Sequence, residues 1–308
     1  MLASFAAAFL LGVASTLALP APVPRAGVTA LTAAQVKTYE PYALLSRVGY
    51  CPASKTATWS CGASCSALPG MVVYASGGDG VVTPYWFVGY YPALNSVVIS
   101  NQGTDASKFV PILIDADFRL DQLDTKFFPG LCRAHARDLR RYVTPTGFQE
   151  AQKRGASAKL AAVKKAISER GTSLVTLTGH SLGGAISLID ALYLSINLPS
   201  AKLKVVTHGM PRVGNSEFAA LVDSKIADIS RIVNEKDIVP IIPGRGLGFQ
   251  HVSGEKHIVS PGNWVTCSGR DNTDAKCSIG TVPNILVGDV NDHGGPYEGI
   301  SIGSSGCN

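Results

Sequence analysis

A chain of 308 residues, 46% of them hydrophobic, can bury a sizeable core, and it carries no repeat or low-complexity tract typical of fibrous proteins. The formal net charge is only +5, and much of it comes from four arginines in residues 131–145, so there is no case for nucleic-acid binding. No Pro/Gly/Ser-rich linker divides the chain, and we expect a single domain.

The N-terminus is an apolar run over residues 1–19, with no charged side chain before Arg25. Such a run, ending in small residues, predicts a signal peptide over residues 1–18 and a short pro-segment to about residue 25. A membrane anchor is the alternative, but the run barely reaches spanning length and has no basic flank. We therefore expect a secreted, extracellular protein without a permanent membrane anchor, whose domain spans residues 26–308.

The first predicted elements are one helix and three strands. A capping box at Thr32 and Gln35 opens a helix that we expect to run up to Cys51. Short runs rich in Val, Ile and aromatic residues then predict strands over residues 70–75, 85–91 and 96–100.

Later in the chain, predicted strands and helices alternate. A helix is predicted over residues 149–170, with lysines on one face and apolar residues on the other. It is followed by strand 174–178, helix 182–194, strand 204–208, helix 216–225 and strand 229–234. This alternation predicts an α/β fold with a mostly parallel central sheet and helices on both faces.

The seven cysteines fit an oxidising compartment. One arrangement leaves Cys132 single and joins the others as Cys51–Cys307, Cys61–Cys65 and Cys267–Cys277. The sequence alone does not determine this connectivity. A zinc site is the competing interpretation of Cys61 and Cys65, but no His or second Cys pair lies nearby, so we expect no metal.

The pentapeptide from Gly179 to Gly183, with Ser181 at its centre, lies between a predicted buried strand and a predicted helix. This context distinguishes a nucleophile elbow from an ordinary glycine-rich turn. The serine of such an elbow adopts strained backbone geometry, and the flanking glycines avoid clashes. We predict that Ser181 is the nucleophile and that the amide of Leu182, at the helix N-terminus, donates to the oxyanion.

The acid and the histidine are expected after the serine in chain order. Asp237 follows a predicted strand at the sheet edge where the elbow lies, and apolar residues come next. Glu235 is the weaker candidate because its neighbours are polar. We predict that Asp237 orients the base and that catalysis passes through an acyl-enzyme.

His293 is the predicted base because it lies on a late glycine-containing loop that can reach back over Ser181. His251 and His257 lie in a charged loop close to the acid, and we expect them to be structural or near the substrate rim. His180 adjoins the serine, but adjacent side chains diverge across an elbow. We expect His180 to be packed and hydrogen-bonded.

Four segments together resemble the class 3 lipases, a family of fungal triacylglycerol lipases and feruloyl esterases with the α/β-hydrolase fold. They are TGHSLGG at 178–184, THGMPRVGN at 207–215, VNEKDIVP at 233–240 and DH at 292–293. The resemblance covers about residues 31–307. It implies the triad of Ser181, Asp237 and His293, with Thr104 after Gly103 as the second oxyanion donor. The disulfide arrangement above also looks like that of the family, and no cofactor is implied.

The resemblance also implies a lid after the oxyanion residue, at about residues 105–120. Its apolar face would consist of Phe109, Ile112, Leu113 and Phe118. Such a face covers the site in water and opens onto lipid, although a buried strand–helix connection is the alternative. An apolar lid favours a lipase over a feruloyl esterase.

Residues 131–145 depart from the family pattern because they form a longer, Arg-rich run that contains Cys132. This run is either a surface insertion or retained intron sequence, and recovery of a natural tryptic peptide containing Tyr142 and Val143 would exclude the second. We expect a monomeric triacylglycerol lipase acting at a lipid–water interface. The alternatives are an esterase on feruloylated polysaccharide or small soluble esters and, more remotely, an inactive lipid-binding protein.

Overall fold

The computed structural model describes residues 27–104, 120–129, 131 and 142–307. The predicted signal peptide, the four predicted lid side chains and Cys132 lie outside these residues. The predicted Arg-rich run is described only at Leu131 and from Tyr142 onward.

Thirteen strands are described. They are β1 (Val28–Ala30), β2 (Val72–Gly77), β3 (Trp86–Tyr91), β4 (Ser96–Asn101), β5 (Leu120–Gln122), β6 (Val143–Pro145), β7 (Leu174–His180), β8 (Lys202–His208), β9 (Gly214–Asn215), β10 (Asp228–Asn234), β11 (Phe249–Gln250), β12 (Glu255–Ser260) and β13 (Asn263–Cys267). Nine of them form one sheet in the order β1-β13-β12-β10-β8-β7-β4-β3-β2. The short pairs β5–β6 and β9–β11 stand apart from it.

The large sheet is mixed, which corrects the expectation of a mostly parallel sheet. Strands β4, β7, β8, β10 and β12 run parallel at the centre, while two antiparallel strands flank them on each side. Strand β12 was not predicted because it reads Glu-Lys-His-Ile-Val-Ser and lacks an apolar run. Its buried Glu255 is instead paired with Arg231 on β10, a partnership that only the fold creates.

Eight α-helices are described within the same residues. They are α1 (Ala33–Lys37), α2 (Glu40–Val48), α3 (Ala53–Ala57), α4 (Gly62–Ser66), α5 (Thr146–Arg170), α6 (Leu182–Asn197), α7 (Ser216–Lys225) and α8 (Ser278–Thr281). Short 3-10 helices lie at Pro92–Leu94, Val239–Ile241, Arg245–Leu247, Val290–Gly294 and Ser304–Gly306. None of the described helices combines the length and the apolar character needed to cross a membrane.

Two hydrophobic cores lie on opposite faces of the sheet. Helices α5, α6 and α7 pack on one face, where Val97 and Ile99 of β4 are buried. Helices α1, α2 and α4 pack on the other face, where the intervening Val98 is buried. Successive residues of a strand point to opposite faces, so the apolar runs of the central strands supply both cores. Helices on both faces confirm the predicted α/β architecture.

The predicted N-terminal helix is two helices. Thr32 and Gln35 form the predicted capping box, but α1 ends at Lys37 and a new helix starts at Glu40. Pro41 lies in the first turn of α2. Proline has no N–H and clashes with a preceding helical turn, so it is accommodated where a helix restarts.

Three disulfides connect the pairs Cys51–Cys307, Cys61–Cys65 and Cys267–Cys277. The sulfurs of Cys61 and Cys65 are therefore bonded to each other, which removes the zinc interpretation for this pair. The long-range bond joins the residue after Tyr50 to the C-terminal segment. It therefore fastens the C-terminal segment to the chain just after α2, which ends at Val48.

Candidate active site

The segment 179–183, hereafter the elbow, joins β7 to α6. Ser181 has φ +58° and ψ −129°, a backbone conformation that side-chain-bearing residues rarely adopt. It is fully buried, and its amide donates to the carbonyl of His208 at 2.9 Å. Its Oγ has no hydrogen-bond partner among the described residues. The predicted strained turn is therefore present, with a hydroxyl not committed to a structural contact.

Glycine is required at both ends of the elbow. A Cβ on Gly179 would collide with the backbone of Gly183, and a Cβ on Gly183 would collide with the carbonyl of Asn101 at the end of β4. The elbow therefore packs directly against the neighbouring strand. This close approach is the physical reason for the glycine spacing that the sequence analysis used.

Residues 101–104 begin with the last residue of β4, lie against the elbow and are hereafter called the oxyanion loop, after the role predicted for Thr104. A Cβ on Gly103 would lie 3.1 Å from Cβ of Ser181 and would also meet the carbonyl of His180. Thr104 is thus the residue immediately after a glycine in contact with the serine. Leu182 is the first residue of α6, where backbone amides have no intrahelical acceptor. The fold therefore places Gly103, which precedes the predicted donor Thr104, next to the serine, and Leu182 follows the serine directly.

Asp237 and His293 meet in a buried hydrogen bond. Nδ1 of His293 lies 2.9 Å from Oδ2 of Asp237, and both side chains are almost completely buried. Oδ1 of Asp237 accepts from the amide of Val239 at 2.9 Å. Because a carboxylate only accepts, Nδ1 of His293 carries the proton and Nε2 is the basic nitrogen.

The loop that carries His293 is also bonded to the loop that carries Asp237. The amide of Lys236 donates to Oδ2 of Asp292 at 3.0 Å, and Nδ2 of Asn234 donates to the Asp292 carbonyl at 2.9 Å. These contacts fix the acid and the histidine relative to each other through the backbone.

The carbonyl of His293 is held from two sides. Nε2 of His180 donates to it at 2.7 Å, and the hydroxyl of Tyr297 donates to it at 3.0 Å. Because Nε2 of His180 is the donor, its Nδ1 accepts from the hydroxyl of Tyr50 at 2.7 Å. The two imidazole rings lie 4.3 Å apart. His180 is packed and hydrogen-bonded, as expected, and it connects the elbow to the histidine loop.

The buried histidines around this centre are neutral. Burial, reinforced by the neighbouring His293, holds the pKa of His180 well below its usual 6.5. Burial likewise lowers the pKa of His208, which hydrogen-bonds Ser46, to about 3. Burial raises the pKa of Tyr297 well above 10, so its hydroxyl keeps the proton that it donates.

The alternative acid and bases have other contacts. Glu235 is partly exposed, and its carbonyl lies 2.8 Å from Nε2 of His257. The other ring nitrogen of His257 lies 2.6 Å from the carbonyl of Lys276. Nε2 of His251 donates to the carbonyl of Pro240 at 2.7 Å. Both histidines therefore brace the loops beside Asp237.

Arg212, within the 207–215 motif, supports the segment after the acid. Its guanidinium donates to the carbonyls of Ile241 and Pro243 and to Oδ1 of Asp271. The arginine is almost completely buried, and a buried charge needs such a full set of partners. The motif therefore contains both the end of β8 and a buried arginine that stabilises the segment after Asp237.

Sequence reasoning missed two tyrosines: Tyr297, whose hydroxyl bonds the His293 carbonyl, and Tyr50, whose hydroxyl bonds His180. Tyr297 lies only four residues after His293, so its loop position was an available signal. Tyr50 precedes Cys51, and the disulfide from Cys51 to Cys307 was the one indirect sign that this segment lies near the C-terminal part of the chain. Neither hydroxyl has a local pattern that marks it as a partner of the histidine loop.

Comparison with known proteins places the chain in a family. Residues 98–247 match the family described as Lipase (class 3). A secreted mono- and diacylglycerol lipase of Malassezia globosa is 32% identical over 221 residues, which cover 70% of this chain and 67% of that protein. The chain belongs to the class 3 lipase family. In two further secreted mono- and diacylglycerol lipases of M. globosa, the matched region spans only 66% and 51% of the relative's length.

Solved structures of fungal lipases have the same architecture. A Rhizomucor miehei triacylglyceride lipase superposes with a TM-score of 0.77 at 27% identity, covering 92% of this chain and 100% of that one. Lipase II from Rhizopus niveus gives 0.75 at 25% identity, covering 90% and 99%. The α/β-hydrolase fold of this class 3 lipase chain is therefore confirmed.

Proposed function

We propose that this chain is a serine ester hydrolase acting on lipid esters through Ser181, His293 and Asp237, with no cofactor. The observation that carries the proposal is the buried hydrogen bond from Nδ1 of His293 to Asp237, 2.9 Å long, beside a serine at φ +58°. A solved structure with a TM-score of 0.76 is described as a triacylglycerol lipase whose catalytic centre is a serine protease triad. That likeness supports the same roles here.

In the proposed reaction, Nε2 of His293 removes the proton from Ser181 as the oxygen attacks the ester carbonyl. Asp237 keeps the imidazole in the correct tautomer and stabilises the imidazolium. The amides of Thr104 and Leu182 donate to the oxyanion, each contributing about 2.7–4 kcal/mol to transition-state stabilisation. His293 then protonates the leaving alcohol, and water hydrolyses the acyl-enzyme by the same route.

Ser181 Oγ makes no hydrogen bond to a described residue, and such catalytic contacts are often long without substrate. The proposed mechanism therefore expects the serine hydroxyl to meet His293 when substrate is bound. The whole triad comes from one chain, which supports a monomer as the working unit.

Acylglycerols are the proposed substrates. The matched relatives of Malassezia are named mono- and diacylglycerol lipases, whereas the Rhizomucor lipase is named for triacylglycerides. Those relatives are also named as secreted, which supports the same location here together with the apolar N-terminus and the disulfides. Rates on emulsified triolein, diolein and monoolein should exceed the rate on methyl ferulate. A higher rate on ferulate, without activation by an interface, would favour the esterase alternative.

An exposed apolar loop beside the site supports a lipid surface as partner. Ile285, Leu286 and Val287 are 59%, 91% and 47% exposed. The loop is bonded to the acid segment, because the amide of Asp289 donates to the carbonyl of Lys236 at 2.8 Å. It borders a largely apolar groove of about 600 Å³ that Ile238 and Ile241 also line. Exposed apolar side chains at the edge that carries the site are suited to enter a lipid layer.

Leu286→Ser should weaken adsorption to triolein emulsion about tenfold, because a leucine withdrawn from water contributes about 1.5–3 kcal/mol. Hydrolysis of soluble p-nitrophenyl butyrate should stay within about twofold of the wild-type rate. Leu174→Ser is the control. Leu174 is 38% exposed and is the first residue of β7, so it lies at the end of that strand away from Ser181. Equal adsorption of the two variants would contradict a role for the 285–287 loop.

Gly209→Ala tests the packing around the acid and the histidine. Gly209 has φ +55°, and a Cβ there would lie 2.8 Å from Cε1 of His293 and 2.9 Å from Oδ2 of Asp237. We expect kcat on p-nitrophenyl butyrate to fall at least about tenfold, since displacement of a reacting group by about 1 Å can cost about 100-fold. Circular dichroism and thermal melts would report whether the variant is folded.

Gly171→Ala is the matched control for Gly209→Ala. Gly171 has φ +65°, and a Cβ there meets nothing within 4 Å. Both variants carry the backbone strain of a left-handed alanine, but only one intrudes on the site. Similar kcat values in the two variants would argue against the proposed acid–base pair.

A further inference from the structure

A buried ion pair lies near the oxyanion loop, on the face of the sheet that α5 and α6 cover. Nζ of Lys159 on α5 lies 2.7 Å from Oδ2 of Asp190 on α6, and the two side chains are only 3% and 2% exposed. Neither residue touches the proposed triad. Buried ion pairs are weak contributors to stability, because desolvation costs about as much as the attraction returns. The presence of this pair therefore calls for another explanation.

The pair is joined to the oxyanion loop through Asn101, the last residue of β4. Lys159 donates to Oδ1 of Asn101 at 2.6 Å. Nδ2 of Asn101 donates to Oδ2 of Asp190 at 3.1 Å and to Oγ of Ser187 at 3.0 Å. Both polar atoms of the Asn101 side chain are thus held by charged or helix-borne groups, which leaves the side chain little rotational freedom.

The same cluster is joined to the elbow. Oγ of Ser187 donates to the carbonyl of Thr178 on β7 at 2.6 Å. Nε2 of Gln152 on α5 donates to the second oxygen of Asp190 at 3.0 Å. Four elements therefore meet in one cluster, and two of them, β7 and α6, are the elements that the elbow connects.

The backbone of Asn101 is in turn packed against the elbow. A Cβ on Gly183 would collide with the Asn101 carbonyl, and a Cβ on Gly103 would lie 3.1 Å from Cβ of Ser181. Thr104 follows only three residues after Asn101. A shift of Asn101 therefore moves the proposed donor at Thr104 relative to the donor at Leu182, which begins α6.

We propose that Lys159, Asp190 and Asn101 are positioning residues that set the spacing of the two oxyanion donors. The cluster holds the end of β4 at a defined distance from α6, so that both amides point at one oxygen. The proposal rests on the function proposed above. It predicts that loosening the cluster weakens binding of a tetrahedral oxyanion more than binding of the planar ester.

Asn101→Ala is the primary test, because it separates the loop from the cluster while Lys159 and Asp190 stay paired. We expect kcat on p-nitrophenyl butyrate to fall about 10- to 100-fold, less than or equal to the loss of one whole donor. The Ki of butylboronic acid, which forms a tetrahedral anion on the serine, should rise in proportion. KM should change less than about threefold. Asn272→Ala, which removes a buried asparagine from the 267–277 loop, should change none of the three.

A folded Asn101→Ala protein with kcat and Ki within about threefold of wild type would overturn the proposal. The same holds if kcat falls no further in Asn101→Ala than in Asn272→Ala. If Asn101→Ala does not fold, the paired change Lys159→Met with Asp190→Leu is measured by the same criteria. Its control is Arg231→Met with Glu255→Leu, which replaces a buried pair between β10 and β12. The Ser181→Ala measurement is made alongside. If Ser181→Ala hydrolyses ester at the wild-type rate, the proposed function is refuted. If Ser181→Ala is inactive but the cluster variants keep the wild-type kcat and Ki, only the positioning role is refuted.

Discussion

Ser181→Ala should lower kcat on p-nitrophenyl butyrate and on emulsified diolein by between about 10⁴- and 10⁶-fold. Without the hydroxyl no acyl-enzyme forms, and the remaining oxyanion donors and binding contacts supply only the residual rate. The elbow should stay folded, because Ser181 anchors it through its backbone amide, which donates to His208, and Oγ has no hydrogen-bond partner among the described residues. The expected thermal stability is therefore close to that of the wild type.

Ser195→Ala is the control for this substitution. Ser195 lies near the C-terminal end of the same helix α6, and its Oγ donates to the carbonyl of Leu192. An alkyl phosphonate should add one phosphonyl group to the wild type and to Ser195→Ala. Peptide mass spectrometry should locate that group on Ser181 in both proteins. Hydrolysis above a few per cent in Ser181→Ala, or phosphonylation of another residue, would place the nucleophile elsewhere.

Asp237→Asn should lower kcat by about 10⁴-fold although the side-chain shape is conserved. The amide of Val239 donates to Oδ1 of Asp237, so that position must remain an acceptor. The NH₂ group of the asparagine is then directed at Nδ1 of His293. Nδ1 must accept from it, which moves the imidazole proton to Nε2 and leaves no base facing the serine.

Glu235→Gln is the matched control, because Glu235 is the neighbouring carboxylate and the rejected candidate acid. It is partly exposed, and its backbone carbonyl rather than its carboxylate faces His257. Its kcat should remain within about threefold of wild type. A large loss in Glu235→Gln with a small one in Asp237→Asn would reverse the assignment of the acid.

Local sequence was sufficient to predict the elements around the elbow. The structure confirms the predicted strand and helix, as β7 and α6, and Ser181 has the positive φ expected of an elbow serine. The strand, the turn and the helix follow from consecutive residues, although glycine at position 183 is also required by the close approach of Asn101. Asp237 and His293 could be selected because chain order and strand ends restrict the choice.

Long-range pairing was beyond what the sequence could predict. Strand β12 is stabilised by neighbours on both sides and by the Arg231–Glu255 pair, so its own residues need not be apolar. The helix break before α2 depended on one proline within a continuous helical pattern. For β12, contacts with other elements outweighed local preference. The helix break, by contrast, follows from the proline itself, a local signal that the sequence analysis did not use.

The sequence by itself determined the fold class, the elbow and the small set of residues from which the proposed triad is drawn, because these follow from short-range sterics and chain order. Only the tertiary structure decided which groups hold that triad in place. Tyr50 bonds His180 across 130 positions of sequence, and Lys159 bonds Asn101 across 58 positions. Tyr297 bonds the carbonyl of His293, which lies only four positions before it. Each of these side chains is polar and buried, so it must find a partner, and only folding determines which partner is within reach.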